Sequence, residues 1–521
     1  MVFGNRQMPK FYNPYMSAAV AAIGGSLFGF DVSSISAILG TDQYNTYFGQ
    51  PSSIMQGGIT AAMSGGSLIG SLLSGQVCDI LGRKKTIIYS CGFWIIGSVL
   101  CCASQNVAML IVGRVFNGLC VGFTSSQVPV YISELSRKDV RGKMVGIQQW
   151  SIEWGILIMY YIGYGCSYIK SNSSFRIPWG LQMIPAVLLV VLLPMFPESP
   201  RWLGSKGRWE EVHDTLAKIH AGGNREDPIV LAEIMEIREA VEIEQNSNAS
   251  YLALFSRKNI YRTHVGIMAQ VYQQLAGGNV MMYYVVYVFQ MAGLTGSINL
   301  IASSIQYVVF LIFTFPVLFF IDKVGRRWLM IGGSISMGTC IWIVGGVLCN
   351  YGEYVDEVGG NKNIHITLKD SHHASVAVLF FSYLFTMFYS LTWAPTAWVY
   401  APEVFPLYIR SKGMSAAAAG NWSMNFALSF YVPPAFDQIG WKTFAIFGVF
   451  NFFSAIHIYF GFPETGNKSL EEIDELFSKG GPRPWKTKVG HSHFDEKVEE
   501  LVHEDEKPSA DHVESVRSLD S

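Results

Sequence analysis

The sequence predicts an all-α membrane protein with twelve transmembrane helices in two six-helix halves, and three observations predict this fold class. Half of the 521 residues are hydrophobic and only 15% are charged, whereas a soluble domain carries about 25% charged residues. About twelve apolar runs reach the roughly 20 residues that a helix needs to cross a bilayer. Short motifs at the ends of these runs occur twice, in the same order, six runs apart.

The twelve predicted spans follow one another with short connections, apart from one long interruption in the middle of the chain. Several spans are rich in glycine and serine, and such small residues let membrane helices pack closely. The predicted limits are 17–40, 57–78, 86–105, 108–132, 143–166 and 178–196 in the first half, and 262–290, 300–321, 328–350, 374–400, 411–436 and 441–462 in the second.

The short basic loops predict the orientation in the membrane. DILGRKK, SRKDVRGK, DKVGRR and YIRSK all fall on one side of a twelve-span chain, so we expect that side and both termini to be cytosolic. The loop at Asn172 then lies outside, where its Asn-Ser-Ser sequence is a candidate glycosylation acceptor. We expect a multi-pass protein of the plasma membrane.

The same pattern divides the chain into five parts. The long interruption contains WEEVHDTLAKIHA and VLAEIMEIREAVEIEQ, whose spacing is typical of amphipathic surface helices. We predict a cytosolic N-terminus (1–16), a first half (17–197), a cytosolic helical linker (198–261), a second half (262–463) and an acidic, largely disordered cytosolic tail (464–521).

Composition excludes several classes of function. The net charge of −2 does not favour a nucleic-acid partner. The eight cysteines fall almost entirely in apolar runs, without disulfide or metal-site spacing, and no pairing of a nucleophile with a base is evident. We therefore expect neither a cofactor nor a metal nor an enzymatic activity, and we expect a monomer in the bilayer.

The repeated motifs predict a transporter. DILGRKK recurs as DKVGRR, YISELSRKDVRG as YAPEVFPLYIRS, and PESPRWL as PETGNKSL. The spacing of seven between Glu134 and Arg141 recurs between Glu403 and Arg410. A parallel internal repeat is the pattern of transporters in which two halves enclose a central site.

The charged residues of these motifs are candidates for an inner gate that is held shut by ion pairs between the halves. Exposed pairs contribute only about 0–1 kcal/mol each, which suits a gate that must also open. The alternative is solvated loop charge that only sets the topology. The gate candidates are Asp79, Arg83, Glu134, Arg141, Asp322, Arg326, Arg327, Glu403 and Arg410.

Amide side chains inside the predicted spans favour a polyol or sugar ligand, because amides and hydroxyls both donate and accept hydrogen bonds. Trp398, Tyr283 and Tyr284 can cover the C–H face of such a ligand, and we also assign the two tyrosines to a gate. The alternative for each amide is an interhelical hydrogen bond of about 0.6 kcal/mol. The amides are Gln149, Gln273, Gln274, Asn279, Asn421 and Asn425, with two glycines before Asn279 that can loosen the helix.

Three charged residues fall well inside the spans, away from their ends. Counted from the outer end at 1.5 Å per residue, Asp31 lies about 14 Å deep and Arg114 about 10 Å deep, so the two can pair. A carboxylate that alternates between paired and unpaired states can bind and release a proton, and intramembrane ionisable residues are functional by default. Glu153, one helical turn after Gln149, is a second candidate carboxylate. The alternative for Asp31 and Arg114 is a static salt bridge.

The motifs also carry a resemblance to a known family. The chain resembles the sugar porters of the major facilitator superfamily over nearly all of residues 15–480, and it is most similar to the fungal high-affinity glucose and hexose transporters. The most specific motifs are GRKK and GRR, PESPRWL, QQLAGGN, PET and GRVFNGLCVGF, while GITAAMSGGSLIGSL, FRIPWGLQMIP and NVMMYYVVY indicate the fungal subgroup.

This resemblance implies the major facilitator fold, alternating access and a monosaccharide site at the membrane midplane. Asp31 and Arg114 match residues of the proton-symporting members, although some fungal facilitators also keep the aspartate. Phe310 stands where an asparagine ligand is usual, and Ser390 and Gly466 are further departures. The implied sugar ligands are Phe28, Gln149, Gln273, Gln274, Asn279, Trp398 and Asn425.

These observations predict a transporter that takes up glucose and related hexoses, with xylose as a further candidate, by proton symport. In that mechanism, Asp31, Arg114 and Glu153 are the candidates for proton coupling. The first alternative is a facilitative hexose uniporter with the same site. The second is a sugar sensor that binds its ligand without transport.

Overall fold

The computed structural model describes residues 11–38, 41–137, 140–245, 250–359, 361, 364–368, 371–468, 470–478 and 481–490. The predicted disordered tail beyond residue 490 lies outside this range. Residues 481–490 pack on the second half, where the backbone N–H of Glu464 donates to Oγ1 of Thr487 at 2.8 Å.

In the described residues of the first half, eight helices form six spans. Its sixth span is divided into α7 and α8 at Gln182, whose carbonyl accepts a hydrogen bond from the indole of Trp94 at 2.7 Å. The helices are α1 (Pro14–Ile38), α2 (Asp42–Tyr47), α3 (Ser53–Leu81), α4 (Arg83–Cys102), α5 (Val107–Leu135), α6 (Arg141–Ser167), α7 (Ser173–Leu181) and α8 (Met183–Leu192).

Four short helices follow before the second half. The first three bury a small apolar cluster of their own around Trp202, Leu216 and Ile237, as their amphipathic pattern predicts. They are α9 (Pro200–Ser205), α10 (Trp209–His220) and α11 (Pro228–Gln245), and α12 (Tyr251–Leu254) leads into the next span.

The second half repeats the six spans with two of them broken. The helices are α13 (Ile260–Leu275), α14 (Gly278–Tyr283), α15 (Val285–Met291), α16 (Gly296–Val324), α17 (Arg326–Tyr351), α18 (His372–Leu391), α19 (Trp393–Val404), α20 (Arg410–Gln438) and α21 (Lys442–Gly461), followed by α22 (Leu470–Leu476). A two-residue hairpin, β1 (Glu353–Tyr354) paired antiparallel with β2 (Ile366–Thr367), lies between α17 and α18.

Both breaks have local causes. Span seven breaks at Gly277, whose φ of +89° is a left-handed conformation that glycine adopts without strain, and the two glycines there predicted this loosening. Span ten breaks at Thr392, three residues before Pro395. Proline has no N–H to continue the helical hydrogen bonds, so it favours a new start to the helix.

The twelve predicted spans are all present as helices. Eight of them are long and apolar enough to cross a membrane by length and composition alone. The other four are α3, α6, the α13–α15 series and α20, which carry many of the glycines, serines and amides. Within the fold, α3 packs along α20 and α6 packs along α16, so three of these less apolar helices (α3, α6 and α20) lie at the contact between the halves.

Close packing in the first half depends on glycines that face each other. A Cβ atom on Gly66 of α3 would lie 2.2 Å from the carbonyl oxygen of Val115 in α5. A Cβ atom on Gly118 of α5 would lie 2.0 Å from the carbonyl oxygen of Met63 in α3. Both distances are far inside van der Waals contact, so only glycine allows these two backbones to approach this closely.

Candidate functional site

A small cavity of about 20 Å³ lies between the halves near the middle of the molecule. The break at Gly277 allows α13 and α14 to present side chains to the same space. Six of the seven predicted sugar ligands line this cavity: Phe28, Gln149, Gln273, Gln274, Asn279 and Trp398.

The amides at this cavity form a connected hydrogen-bond network. The amide nitrogen of Gln274 donates to Oδ1 of Asn421 at 2.8 Å, and its oxygen accepts from Asn279 at 2.9 Å. The same oxygen accepts from Asn425 at 3.1 Å, so the seventh predicted ligand joins the network through Gln274. Asn421 also donates to Oε1 of Gln273 at 2.8 Å. Amides held by one another can exchange these bonds for sugar hydroxyls.

The apolar walls of the cavity were not predicted from the sequence, whereas Asn421, one of the predicted amides, does line it. Ile152 and Ile156 line the cavity together with Gln149, and their spacing of three and seven residues from Gln149 was a usable signal. Tyr389 also lines it, with its ring 5.7 Å from that of Phe310. No local pattern distinguishes Tyr389 from the other aromatic residues of its span.

The basic end of the molecule is the end that carries Arg83, Arg141, Arg326 and Arg410. At the opposite end, the halves meet through hydroxyl groups. The hydroxyls of Ser36 in α1 and Tyr307 in α16 lie 3.1 Å apart.

Both tyrosines assigned to the gate are buried at the joint between α14 and α15. Tyr284 donates to the carbonyl of Ser429 at 2.9 Å, and Tyr283 is 6% exposed. Pockets for small ligands occupy about 300–1,000 Å³, so the central cavity must widen before it can hold a hexose.

Asp31 and Arg114 form the ion pair that their predicted depths allow. Arg114 Nη2 lies 2.9 Å from Asp31 Oδ2, and Nη1 lies 3.3 Å from Oδ1. Each residue is 1% exposed. The Nε atom of Arg114 also donates to the carbonyl of Ile59 at 2.8 Å. The pair therefore fastens α1, α3 and α5 together within the first half.

Glu153 is equally buried but has neutral partners. Its Oε1 atom accepts from Thr314 of the second half at 2.7 Å and from Gln149 at 3.2 Å. Its Oε2 atom has no hydrogen-bond partner among the described residues. Glu153 therefore connects a predicted sugar ligand to the opposite half of the molecule.

At the basic end, the predicted gate residues of the first half form a tight cluster. Arg83 binds both oxygens of Glu134, at 2.9 and 3.1 Å, and Ser199 donates to Glu134 at 2.5 Å. Asp79, 4.0 Å from Arg83, accepts from Lys412 of the second half at 2.7 Å. The contact between Asp79 and Lys412 therefore joins the two halves.

The second half repeats the main contacts of this cluster with equivalent residues. Arg326 binds Glu403 at 2.9 Å and Asp322 at 2.8 Å, and Thr465 donates to Glu403 at 2.7 Å. Asp322 accepts from the backbone N–H of Lys143 in the first half at 3.1 Å. Each half therefore offers one aspartate to the other.

The glutamates of the PES and PET motifs, Glu198 and Glu464, cap the N-termini of α4 and α17. Glu198 accepts from the backbone of Lys84 at 3.1 Å, and Glu464 accepts from the backbone N–H groups of Arg326 and Arg327 at 2.8 and 3.0 Å. Burial raises the pKa of Glu198, which lies outside the spans, while the hydrogen bonds from the backbone N–H groups of Ser199 and Lys84 oppose the rise. The guanidinium of Arg327 donates within its own half, to the carbonyl of Tyr459 at 2.7 Å.

The remaining two gate arginines lie at the junction of the halves. Arg141 and Arg410 line a cavity of about 10 Å³ together with Glu403. Gly142, next to Arg141, allows Asp322 of the second half to approach α6 closely, because a Cβ atom on Gly142 would lie 2.2 Å from Oδ1 of Asp322. At the opposite end, the predicted glycosylation site Asn172 is exposed at the start of α7.

Comparison with known proteins assigns this architecture to a family. The family described as "Sugar (and other) transporter" matches residues 17–477. The chain belongs to this sugar transporter family. It is a multi-pass membrane transporter of sugars and not an enzyme.

Individual relatives support the same conclusion. The chain is 46% identical to a high-affinity glucose transporter of Kluyveromyces lactis over 92% of this chain and 88% of that protein. It is 43% identical to high-affinity glucose transporter 1 of Candida albicans, over 93% and 90% of the two chains. The structure of the proton:xylose symporter XylE of E. coli, which belongs to the major facilitator superfamily, matches with a TM-score of 0.77 and 26% identity, over 89% of this chain and 99% of that one. The predicted major facilitator fold is confirmed.

Proposed function

We propose that this transporter takes up a hexose, with glucose as the first candidate, through the plasma membrane by alternating access. The observation that carries this proposal is the network of amides around the central cavity. Five amides, including Asn421, line it and Asn425 extends it through Gln274, while Phe28 and Trp398 supply aromatic faces. Such a set can bind the hydroxyls of a sugar ring and cover its C–H face.

The proposed cycle uses both ends of the molecule. The clusters at Arg83 and Arg326 hold the basic end shut, and Tyr283 and Tyr284 close the other end over the sugar. We assign the basic end to the cytosol, with both termini, because basic loops are retained there. Asn172 then carries a glycan on the outside. The segments 17–197 and 262–463 act as the two moving halves, joined by 198–261.

We further propose that sugar uptake is coupled to protons at Asp31. The support is the enclosed pair of Asp31 and Arg114, 2.9 Å apart, in a protein whose fold matches a proton:xylose symporter. Protonation of Asp31 releases Arg114, and the change in packing of α1 against α5 is transmitted to Phe28, one turn before Asp31. In this mechanism, a proton taken up from outside binds Asp31 and breaks the pair.

Recording sugar uptake and proton uptake together tests this proposal. Glucose added to a weakly buffered suspension of cells that carry the protein should raise the external pH, and the rise should be absent from cells without it. Uptake of glucose with no alkalinisation would contradict proton coupling and leave sugar transport standing.

A facilitative uniporter is the second candidate, and one observation favours it. Asp31 and Arg114 are each 1% exposed and bind through both carboxylate oxygens, as a permanent link between helices does. In that case, glucose would equilibrate across the membrane without a rise in external pH. A sensor that does not transport would show neither uptake nor alkalinisation at normal surface expression.

A further inference from the structure

A cavity larger than the central one lies at the basic end, away from the proposed sugar site. Its volume is about 320 Å³, whereas the central cavity has about 20 Å³. Three parts of the molecule line it: the first-half gate around Arg83, the linker helices α9 and α11 through Trp202 and Ile237, and the second-half segment 408–412. The cavity therefore exists only where the two halves and the linker meet.

The charged side chains of this cavity carry an excess of positive charge. Its two acids are already engaged, Glu134 by Arg83 and Asp79 by Lys412. The lining has four basic and two acidic side chains, so it carries two excess positive charges; the basic ones are Arg83, Arg201, Lys206 and Lys412.

The guanidinium of Arg201, which lines the cavity, has a hydrogen-bond donor without an acceptor in the described part of the chain. The Nη1 atom of Arg201 is buried and has no hydrogen-bond partner among the described residues. Arg410, whose chain neighbours Ile409 and Ser411 line the cavity, is 2% exposed, is repelled by Arg201, and has a buried Nη2 atom that likewise lacks a partner in the described part of the chain. Buried donors without acceptors destabilise a fold, and those that carry charge do so most strongly. An anion bound in the cavity would give the Arg201 donor an acceptor and would offset the repulsion between Arg201 and Arg410.

We propose that this cavity binds a phosphate monoester and that the bound monoester holds the basic end closed. A guanidinium donates two parallel hydrogen bonds to a phosphate group, and a dianion balances the two excess positive charges. The volume is that of a small-molecule pocket, which leaves room for the organic part of the ester. The indole of Trp202 and the side chain of Ile237 offer an apolar wall for that part.

The residues that line the cavity predict that the monoester binds only when the basic end is closed, and this step rests on the proposed alternating access. Opening the basic end separates the segment 408–412 from Arg83 and Arg201, which dismantles the site. A ligand that binds one state better than the other shifts the equilibrium toward that state. The monoester therefore inhibits transport by stabilising the closed basic end, without competing at the sugar site.

The test uses the full-length protein in liposomes of phosphatidylcholine, with glucose exchange measured at equilibrium, so that proton coupling plays no part. Glycerol 3-phosphate, added on both sides, should slow exchange tenfold or more at saturation, with an unchanged KM for glucose. Glycerophosphocholine, a diester without net charge, should have no effect. In a second arm, phosphatidic acid is included in the membrane as a lipid monoester, so that inhibition by one arm alone identifies a soluble or a lipid source.

Two variants address the site directly. Arg201→Gln and Lys206→Gln should retain basal exchange and lose at least tenfold in sensitivity to the monoester, and Lys206 is exposed, so its substitution does not endanger folding. Arg208→Gln is the matched control, because Arg208 pairs with Glu211 on the surface of the linker and should keep full sensitivity. Equal inhibition of all variants, or no inhibition of active wild-type protein by either monoester, would overturn the proposal. Absence of glucose exchange in the wild type would instead contradict the proposed function.

Discussion

Asp31 and Glu153 are both buried carboxyl groups at 1% exposure, but their surroundings differ in charge. Asp31 is bound through both oxygens by Arg114. Glu153 is bound through one oxygen by Thr314 and Gln149, neither of which carries a charge. A charge without a counter-charge bears the full cost of leaving water. We therefore propose that Asp31 carries the charge that changes during transport and that Glu153 has a hydrogen-bonding role.

The two groups also differ in what they connect. The pair of Asp31 and Arg114 lies inside the first half, so its rupture changes the packing of that half alone. Glu153 joins the first half to Thr314 of the second, so its bond must break or rearrange whenever the halves separate. We therefore expect the first group to respond to a proton and the second to respond to the movement of the halves.

Removing the cation should have the largest effect. Arg114→Leu leaves Asp31 buried without its partner, which costs about 3–5 kcal/mol of folding free energy for a broken buried pair. We expect a strong fall in thermal stability in detergent and little protein at the cell surface. The double variant Asp31→Asn with Arg114→Leu should recover part of the stability, because no unpaired charge then remains. Equal instability of the single and double variants would show that Arg114 acts through its bonds to backbone carbonyls.

Removing the acid should have a smaller effect on folding and a specific effect on transport. In Asp31→Asn, Arg114 keeps the carbonyls of Ile59 and Thr60 as acceptors, at 2.8 and 3.4 Å. We expect this variant to exchange glucose within about threefold of the wild-type rate, a change of less than 1 kcal/mol, while the internal glucose concentration no longer exceeds the external one. An accumulation assay beside an exchange assay measures both. Concentrative uptake by Asp31→Asn would make Asp31 structural.

Much of the fold was predictable because apolar length and small residues are local properties. The twelve spans followed from runs of about 20 apolar residues, and the break at Gly277 followed from adjacent glycines. The break at Thr392 was not predicted, although Pro395 gives a signal for it. The contact between Asp31 and Arg114 was predictable because depth in a membrane can be counted along two helices.

The pairing of the gate residues was less accessible to sequence analysis. The spacing of Glu134 from Arg141 suggested a link within one motif, whereas the structure shows Glu134 bound to Arg83, 51 residues away. Asp79 meets Lys412 across 333 residues, and Glu153 meets Thr314 across 161. Such contacts depend on how the halves dock, which no local pattern records. The roles of these residues in transport stay predictions.

The smallest effect is expected from substitution of Glu153, and the same substitution tests whether the proposed roles of Asp31 and Glu153 should be exchanged. Glu153→Gln keeps an oxygen that accepts from Thr314 and Gln149 and changes only the atom without a partner. We expect concentrative uptake to persist, with the KM for glucose within about twofold of the wild-type value, because both hydrogen bonds are kept and each is worth only about 0.5–1.5 kcal/mol. Glu153→Leu removes both bonds and should change the KM further while coupling remains. If Glu153→Gln instead exchanged glucose but no longer accumulated it, and Asp31→Asn still accumulated it, Glu153 would be the group that carries the proton, and the charged pair would be the static element.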